Sequence, residues 1–210
     1  VQNGFIMSRQ LVNNAVVLDA FACVYAFFPA LLPLLALFGF SAAFPSIAHR
    51  WLMKVLRALR LPQGFVNLVA AIYHNNVSYV GRYRINICAG VLQGCGLSGS
   101  LFVLALDPFL RWAEENVHRP DLGILRACAD DLGTAVRNIT ALLVYAEMFR
   151  IIERLSLLAL KAQKRVVVPA CPCTPSIINR VKEFLLDRIP LWSRFRVQSA
   201  AEYLGFQLGP

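Results

Sequence analysis

The sequence predicts an α+β fold, and three observations lead there. Apolar segments of strand length and of helix length are interleaved along the chain, as at Leu34 to Phe40 and Leu142 to Leu155. Short turns, one at Gly81 and one at Asp130-Asp131, join neighbouring strands directly into hairpins. No regular strand-helix-strand alternation runs through the chain, which argues against a doubly wound parallel sheet. The 210 residues, 58% of them apolar, suffice for a substantial buried core.

Ser8 to Phe28 has helical character, with Ser8 placed as a cap and Pro29 just past the end. Leu34 to Phe40 is an apolar run of strand length after Pro33. Phe44 to Arg60 is expected as one helix with Pro45 in its first turn, and Pro62 opens another reaching about His74. Tyr79 and the run Tyr83 to Cys88 predict a hairpin about Gly81. Gly90 to Gly99 contains four glycines, and Ser98 caps a helix through about Val117. Leu122 to Val136 is strand, carboxylate turn and strand. Asn138 or Thr140 caps a helix, Arg165 to Val168 is a strand, Pro175 to Arg188 a helix, and Glu202 to Leu208 a final strand.

A net charge of +9 favours a polyanionic partner, nucleic acid or an acidic membrane surface. Basic residues such as Arg57, Arg60, Arg82, Arg84, Lys161, Lys164 and Arg165 are spread over several segments, as on a folded surface rather than a tail. Phe21 to Ala48 carries no charged side chain and exceeds the roughly 20 residues of a membrane span. Pro29, Pro33 and Pro45 divide that stretch, so a small membrane protein with a span at 21–48 is the lesser alternative. Six cysteines stand without paired zinc-ligand spacing, which predicts reduced, buried thiols and an intracellular protein, nuclear or cytoplasmic.

Asp130 and Asp131 carry the chemistry. Adjacent carboxylates at a hairpin tip repel one another unless a cation lies between them, and carboxylates clamping two metal ions are a recurrent device for in-line attack on phosphate. Aspartate is also a common turn residue, so the pair acquires meaning only from its surroundings.

Those surroundings are Gly90-Val91-Leu92-Gln93-Gly94-Cys95-Gly96-Leu97-Ser98, then Leu101-Phe102, then Ala129-Asp130-Asp131. On both sides lie further pieces in order: Gln2-Asn3-Gly4-Phe5 with Arg9; Ser41-Ala42-Ala43-Phe44-Pro45-Ser46 with His49; Leu158 to Lys164; and Tyr203-Leu204-Gly205-Phe206. The succession resembles the reverse transcriptases, most closely the non-LTR retrotransposon and group II intron branch, over nearly the whole chain.

The resemblance implies a polymerase palm, a ferredoxin-like antiparallel sheet with packed helices, over 34–210, preceded by a partial fingers region at 1–33 and without a thumb. It implies template-directed nucleotidyl transfer from dNTPs onto a DNA primer with an RNA template, two Mg2+ ions, and no membrane. Asp130 and Asp131 take the role of metal-binding catalytic carboxylates. Gln93 and Gly94 line the nucleotide pocket, and Phe44 excludes a ribose 2′-hydroxyl, although by itself an aromatic there reads as core. Lys164 stands near the departing pyrophosphate, and Arg9 contacts nucleic acid.

The sequence departs from that family at Gly39, five residues before Phe44, where a third catalytic aspartate is usual. No Asp or Glu lies between Asp19 and Asp107 to replace it. Gly96 and Gly99 stand where prolines are usual, and Cys128 where an aromatic is. The expectation is therefore a degenerate copy, catalytically impaired, with weak metal binding; the alternative is a non-catalytic nucleic-acid-binding remnant of a retroelement.

Overall fold

The computed structural model describes residues 2–4, 8–118, 121–161 and 165–210. Its centre is a five-stranded sheet in the order β4-β5-β1-β6-β7, formed by β1 (Leu34–Gly39), β4 (Gly123–Cys128), β5 (Asp131–Val136), β6 (Val166–Pro169) and β7 (Arg196–Val197). All pairings in it are antiparallel except β6 with β7. Two separate hairpins are β2 (Val77–Val80) with β3 (Tyr83–Asn86), and β8 (Ala201–Tyr203) with β9 (Phe206–Leu208). The predicted α+β class holds.

Strand β1 is apolar throughout because both faces of the sheet are covered. Leu34, Ala36, Phe38 and Phe40 face a core built with α3 (His49–Ala58), α4 (Gln63–Ile72), α5 (Ser98–Ala113), α6 (Ala141–Ser156) and α7 (Pro175–Arg188). Leu35 and Leu37 face the opposite way, onto α1 (Val12–Tyr25) and the β8–β9 hairpin. On the first side Phe38 sits among Phe149, Trp192 and Tyr145, with ring centroids 4.7, 5.4 and 6.2 Å away. Such aromatic pairs contribute about 0.5–1.5 kcal/mol beyond area burial.

Helix α3 shows how composition is sorted: Leu52, Val55 and Leu56 are buried, while Arg50, Lys54 and Arg57 on the other face are exposed. At α7 the sequence specifies both ends. Thr174 accepts the Ile177 N–H at 3.3 Å, Pro175 opens the first turn, and Pro190 lies just beyond.

Five local expectations are corrected. The helix expected over Phe44 to Arg60 is two helices, α2 (Ala43–Ser46) and α3, because Ile47 and Ala48 are extended and Ala48 pairs with Ala89 and donates its N–H to Ser156. The final strand is the β8–β9 hairpin, turning at Leu204 and Gly205, both with positive φ. Ser8 caps nothing, since α1 begins at Val12, and Ser98 is the first residue of α5, its hydroxyl donating to the Leu92 carbonyl. Only Cys171 among the cysteines is buried; Cys23 and Cys88 are exposed and all six thiols are free. Among the described residues, no helix is long and apolar enough to cross a membrane. The uncharged stretch is instead shared among α1, the turn Pro29–Leu31, β1 and α2.

Candidate active site

The β4–β5 hairpin pairs Cys128 with Asp131, so Ala129 and Asp130 make its turn, one residue earlier than the Asp130-Asp131 turn expected, and Asp131 opens β5. Ala129 takes φ +51°, a left-handed conformation that costs a residue with a Cβ about 1–2 kcal/mol. Both aspartates are half-buried. Strand β1 ends alongside them, with Gly39 the register partner of Asp131. Directly opposed residues project to one face, their Cβ positions about 4.5–5.5 Å apart. That face is the one covered by α1 and the β8–β9 hairpin.

Burial of the Cys128 thiol, and after it the charges of Asp131 and Asp130, push its pKa up. The Tyr203 phenol is pushed far above its ordinary value, by burial first and then by Cys128 and Asp131. It therefore stays protonated, with its hydroxyl 3.4 Å from the Arg126 carbonyl and 3.5 Å from that of Asp131. Asp131 also opens onto a cleft of about 660 Å³ lined by Arg196, Gln198, Glu202, Tyr203 and Gly205. Clefts of this size are typical of small-ligand sites.

On the far side of β1 from β5, the segment Leu158 to Lys161 follows the strand end. Lys161 donates its N–H to the Gly39 carbonyl at 2.7 Å, and Ser41 donates to Ala159 at 2.8 Å. This brings the beginning of the lysine motif to the carboxylate end of the sheet. Lys164 itself lies outside the described residues.

Phe44 leads from the same strand end into the glycine-rich loop. Its ring stacks on buried Phe102 at 4.6 Å, and its carbonyl accepts the Val91 N–H at 2.8 Å. Gly90 has φ +98°, and a Cβ there would lie 2.8 Å from the Pro45 carbonyl oxygen, so this close approach demands glycine. His49 Nε2 bonds the Gly90 carbonyl at 2.8 Å. Gln93 and Gly94 are exposed. Gln93 lines a second cleft of about 550 Å³ with Pro45, His49 and Tyr73, distinct from the cleft of Asp131. Arg9 is exposed, and its guanidinium donates to the Gln2 carbonyl.

The structure thus gathers Asp130, Asp131, Gly39 and the Lys161 backbone at one end of the sheet. It joins Phe44 to the loop preceding Gln93, and it places Arg9 against the N-terminal segment. Sequence reasoning named Gln2 and Gly4 only as part of the N-terminal motif and missed Asn14; all three meet the carboxylate hairpin. The available signal for Asn14 was the Asn13-Asn14 pair in a largely apolar helix, because a buried amide in such a place needs a partner.

Comparison with known proteins agrees with this architecture. Over 99 residues, 45% of this chain, the sequence is 34% identical to the "Retrovirus-related Pol polyprotein from type-1 retrotransposable element R2" of Bradysia coprophila. The chain spans 11% of that relative's length. Among solved structures, telomerase from Candida albicans in complex with a telomeric RNA fragment superposes with a TM-score of 0.66, covering 95% of this chain and 33% of that one at 11% identity. A C-terminally truncated apo telomerase from Candida tropicalis gives 0.58, covering 95% and 38% at 11% identity. At that identity the likeness shows the fold. The profile described as "Reverse transcriptase (RNA-dependent DNA polymerase)" matches residues 33–208, from the start of β1 to the end of β9. By that match the chain belongs to the reverse transcriptase family, and its Bradysia coprophila relative is a retrotransposon polyprotein.

Proposed function

We propose that this chain is the palm-centred part of an RNA-directed DNA polymerase, acting by nucleotidyl transfer, in a copy whose catalysis is impaired. In the reaction the primer 3′-hydroxyl attacks the α-phosphorus of a dNTP opposite an RNA template, and pyrophosphate leaves. The register pairing of Gly39 with Asp131 carries the reading. It sets an acid-free position beside the carboxylate hairpin, where the family motif has an aspartate. Residues 34–210 serve as palm and 1–33 as a fingers portion, in a nuclear or cytoplasmic setting.

Mg2+ is the metal that the family motif implies. Asp130 and Asp131 offer oxygen ligands suited to one hard cation such as Mg2+. Among the described residues no group of three or more His, Cys, Asp or Glu is placed to hold a metal. The residues therefore fit one weakly held ion and do not fit a pair clamped by three carboxylates. What remains to the protein is positioning. The Asp131 cleft sets Arg196 against the carboxylates of Asp131 and Glu202, so it takes a phosphate-bearing ligand only together with a cation, and Phe44 beside the glycine-rich loop suits contact with the nucleotide sugar. Lys164 is assigned to the pyrophosphate side, Gln93 and Gly94 to the nucleotide, and Arg9 to nucleic acid, by the family motif.

Primer extension on an RNA template, with the unaltered protein and with Gly39→Asp, tests the reading. Synthesis restored by several orders of magnitude in the variant supports it, and robust synthesis by the unaltered protein overturns the impairment. A second reading, nucleic-acid binding without extension, is favoured by the β2–β3 hairpin. There Tyr79 and Tyr83 are 67% and 64% exposed beside Arg82 and Arg84, the combination that stacks on bases and meets phosphates. Salt-sensitive primer-template binding by both proteins, with extension by neither, selects it.

A further inference from the structure

The carboxylate turn has an unusual neighbour. Strand β4 lies at the edge of the sheet, and the segment Gln2 to Gly4 runs along it. Gln2 bridges Ala127 in parallel, and Asn3 donates its N–H to the Ala127 carbonyl at 2.8 Å. Had the segment served only to cover an edge, such main-chain bonds would suffice. The side chains reach further. Gln2 is 6% exposed, and its Oε1 accepts the N–H of Ala129 at 3.0 Å and that of Gly4 at 2.7 Å. Its Nε2 lies 3.5 Å from the Ala129 carbonyl oxygen. One carboxamide thus addresses both main-chain groups of the residue held at φ +51°, immediately before Asp130.

Two further residues hold the segment against the turn. At Gly4 an added Cβ would lie 2.5 Å from the Ala129 nitrogen and 3.2 Å from the Cys128 carbonyl carbon. Only a residue without a side chain lets the segment come this close. Asn14, fully buried on α1, donates to the Ala127 carbonyl at 2.9 Å and accepts from Asn3 Nδ2 at 2.8 Å. A buried amide network, rather than the turn's own sequence, supplies the partners of the turn.

We propose that Gln2 is a positioning residue for the catalytic turn, its carboxamide holding Ala129 in the left-handed conformation that sets the direction of Asp130 and Asp131. Gly4 and Asn14 place Gln2. The inference rests on the reading of those aspartates as the metal-binding pair. Detaching the N-terminal segment would loosen the carboxylates while leaving the rest of the sheet paired.

The test uses the whole chain with Gln2→Met, which keeps the length and removes the amide, Gln2→Glu, which keeps the acceptor oxygen, and Gly4→Ala. Amide hydrogen exchange is followed residue by residue, and Mn2+ affinity is measured by electron paramagnetic resonance. In Gln2→Met and Gly4→Ala, exchange at Ala129 should accelerate about tenfold with β1 and β6 unchanged, and Mn2+ affinity should fall about tenfold. Gln2→Glu should keep Ala129 protected. Unchanged exchange at Ala129 in Gln2→Met overturns the proposal, as does a uniform acceleration across the sheet that tracks lost global stability. If the unaltered protein binds no Mn2+, the metal reading of the aspartates fails, and exchange at Ala129 still decides the role of Gln2.

Discussion

Gly39 and Asp131 are register partners at the ends of β1 and β5, projecting to the same face of the sheet. An aspartate at position 39 would stand directly opposite Asp131, and opposed like charges destabilise a strand pair unless a cation joins them. Gly39→Asp should therefore lower the unfolding temperature in EDTA and recover it in millimolar Mg2+. The gap between the two conditions should exceed that of the unaltered protein by about 3 °C or more, measured by thermal unfolding. Equal gaps in the two proteins would show that the position does not share a cation with Asp131.

Gly90 ties the aromatic helix α2 to the glycine-rich loop. Gly90→Ala meets both the strain of φ +98° and the Pro45 carbonyl oxygen at 2.8 Å. The substitution should cost about 2–3 kcal/mol in denaturant unfolding. A cost below about 0.5 kcal/mol would mean that the loop moves freely away from Pro45.

Thr134 is fully buried, its Oγ1 lying 2.8 Å from the Ile124 carbonyl oxygen and 2.7 Å from the Tyr145 hydroxyl. Thr134→Val leaves that hydroxyl without its partner inside the core and should cost about 1–3 kcal/mol. Adding Tyr145→Phe removes the stranded group, so the double variant should be less destabilised than the sum of the singles. Strict additivity in urea unfolding would show the two groups to be independent.

Burial raises the phenol pKa of Tyr145, and that of Tyr203, where the charges of Cys128 and Asp131 add to it. Above about pH 10 the unfolded chain releases these two protons and the folded protein keeps them. The unfolded state then binds fewer protons, so stability is full below pH 10 and falls as pH rises beyond it. Phenolate absorbance from Tyr145 and Tyr203 should appear only together with the loss of far-ultraviolet circular dichroism, and Tyr145→Phe should remove one such group. Ionisation of all tyrosines before any unfolding would contradict this.

Local chemistry made several elements legible. Strand β1 follows from an unbroken apolar run after Pro33, α7 from Thr174, Pro175 and Pro190, and the carboxylate hairpin from two apolar runs meeting at a two-residue turn. The break between α2 and α3 was hidden, because nothing in Ile47-Ala48 disfavours a helix. Ser156 and Ala89, distant in sequence, draw that backbone into extended bonds. The C-terminal hairpin was obscured by alternation across Leu204-Gly205, although Gly205 marks its turn.

At the site the same division holds. The order of motifs along the chain, and the glycine at position 39, are properties of the sequence alone, and the motif order suffices to identify the family. That Gly39 stands opposite Asp131, that Gln93 lies in a different cleft from Asp131, and that Gln2 bonds the turn at Ala129 were decided only by the fold. The physical reason is that motifs are strings of side-chain types, written locally. The partner of a strand end, or of a buried amide, is chosen by whichever distant segment satisfies its hydrogen bonds.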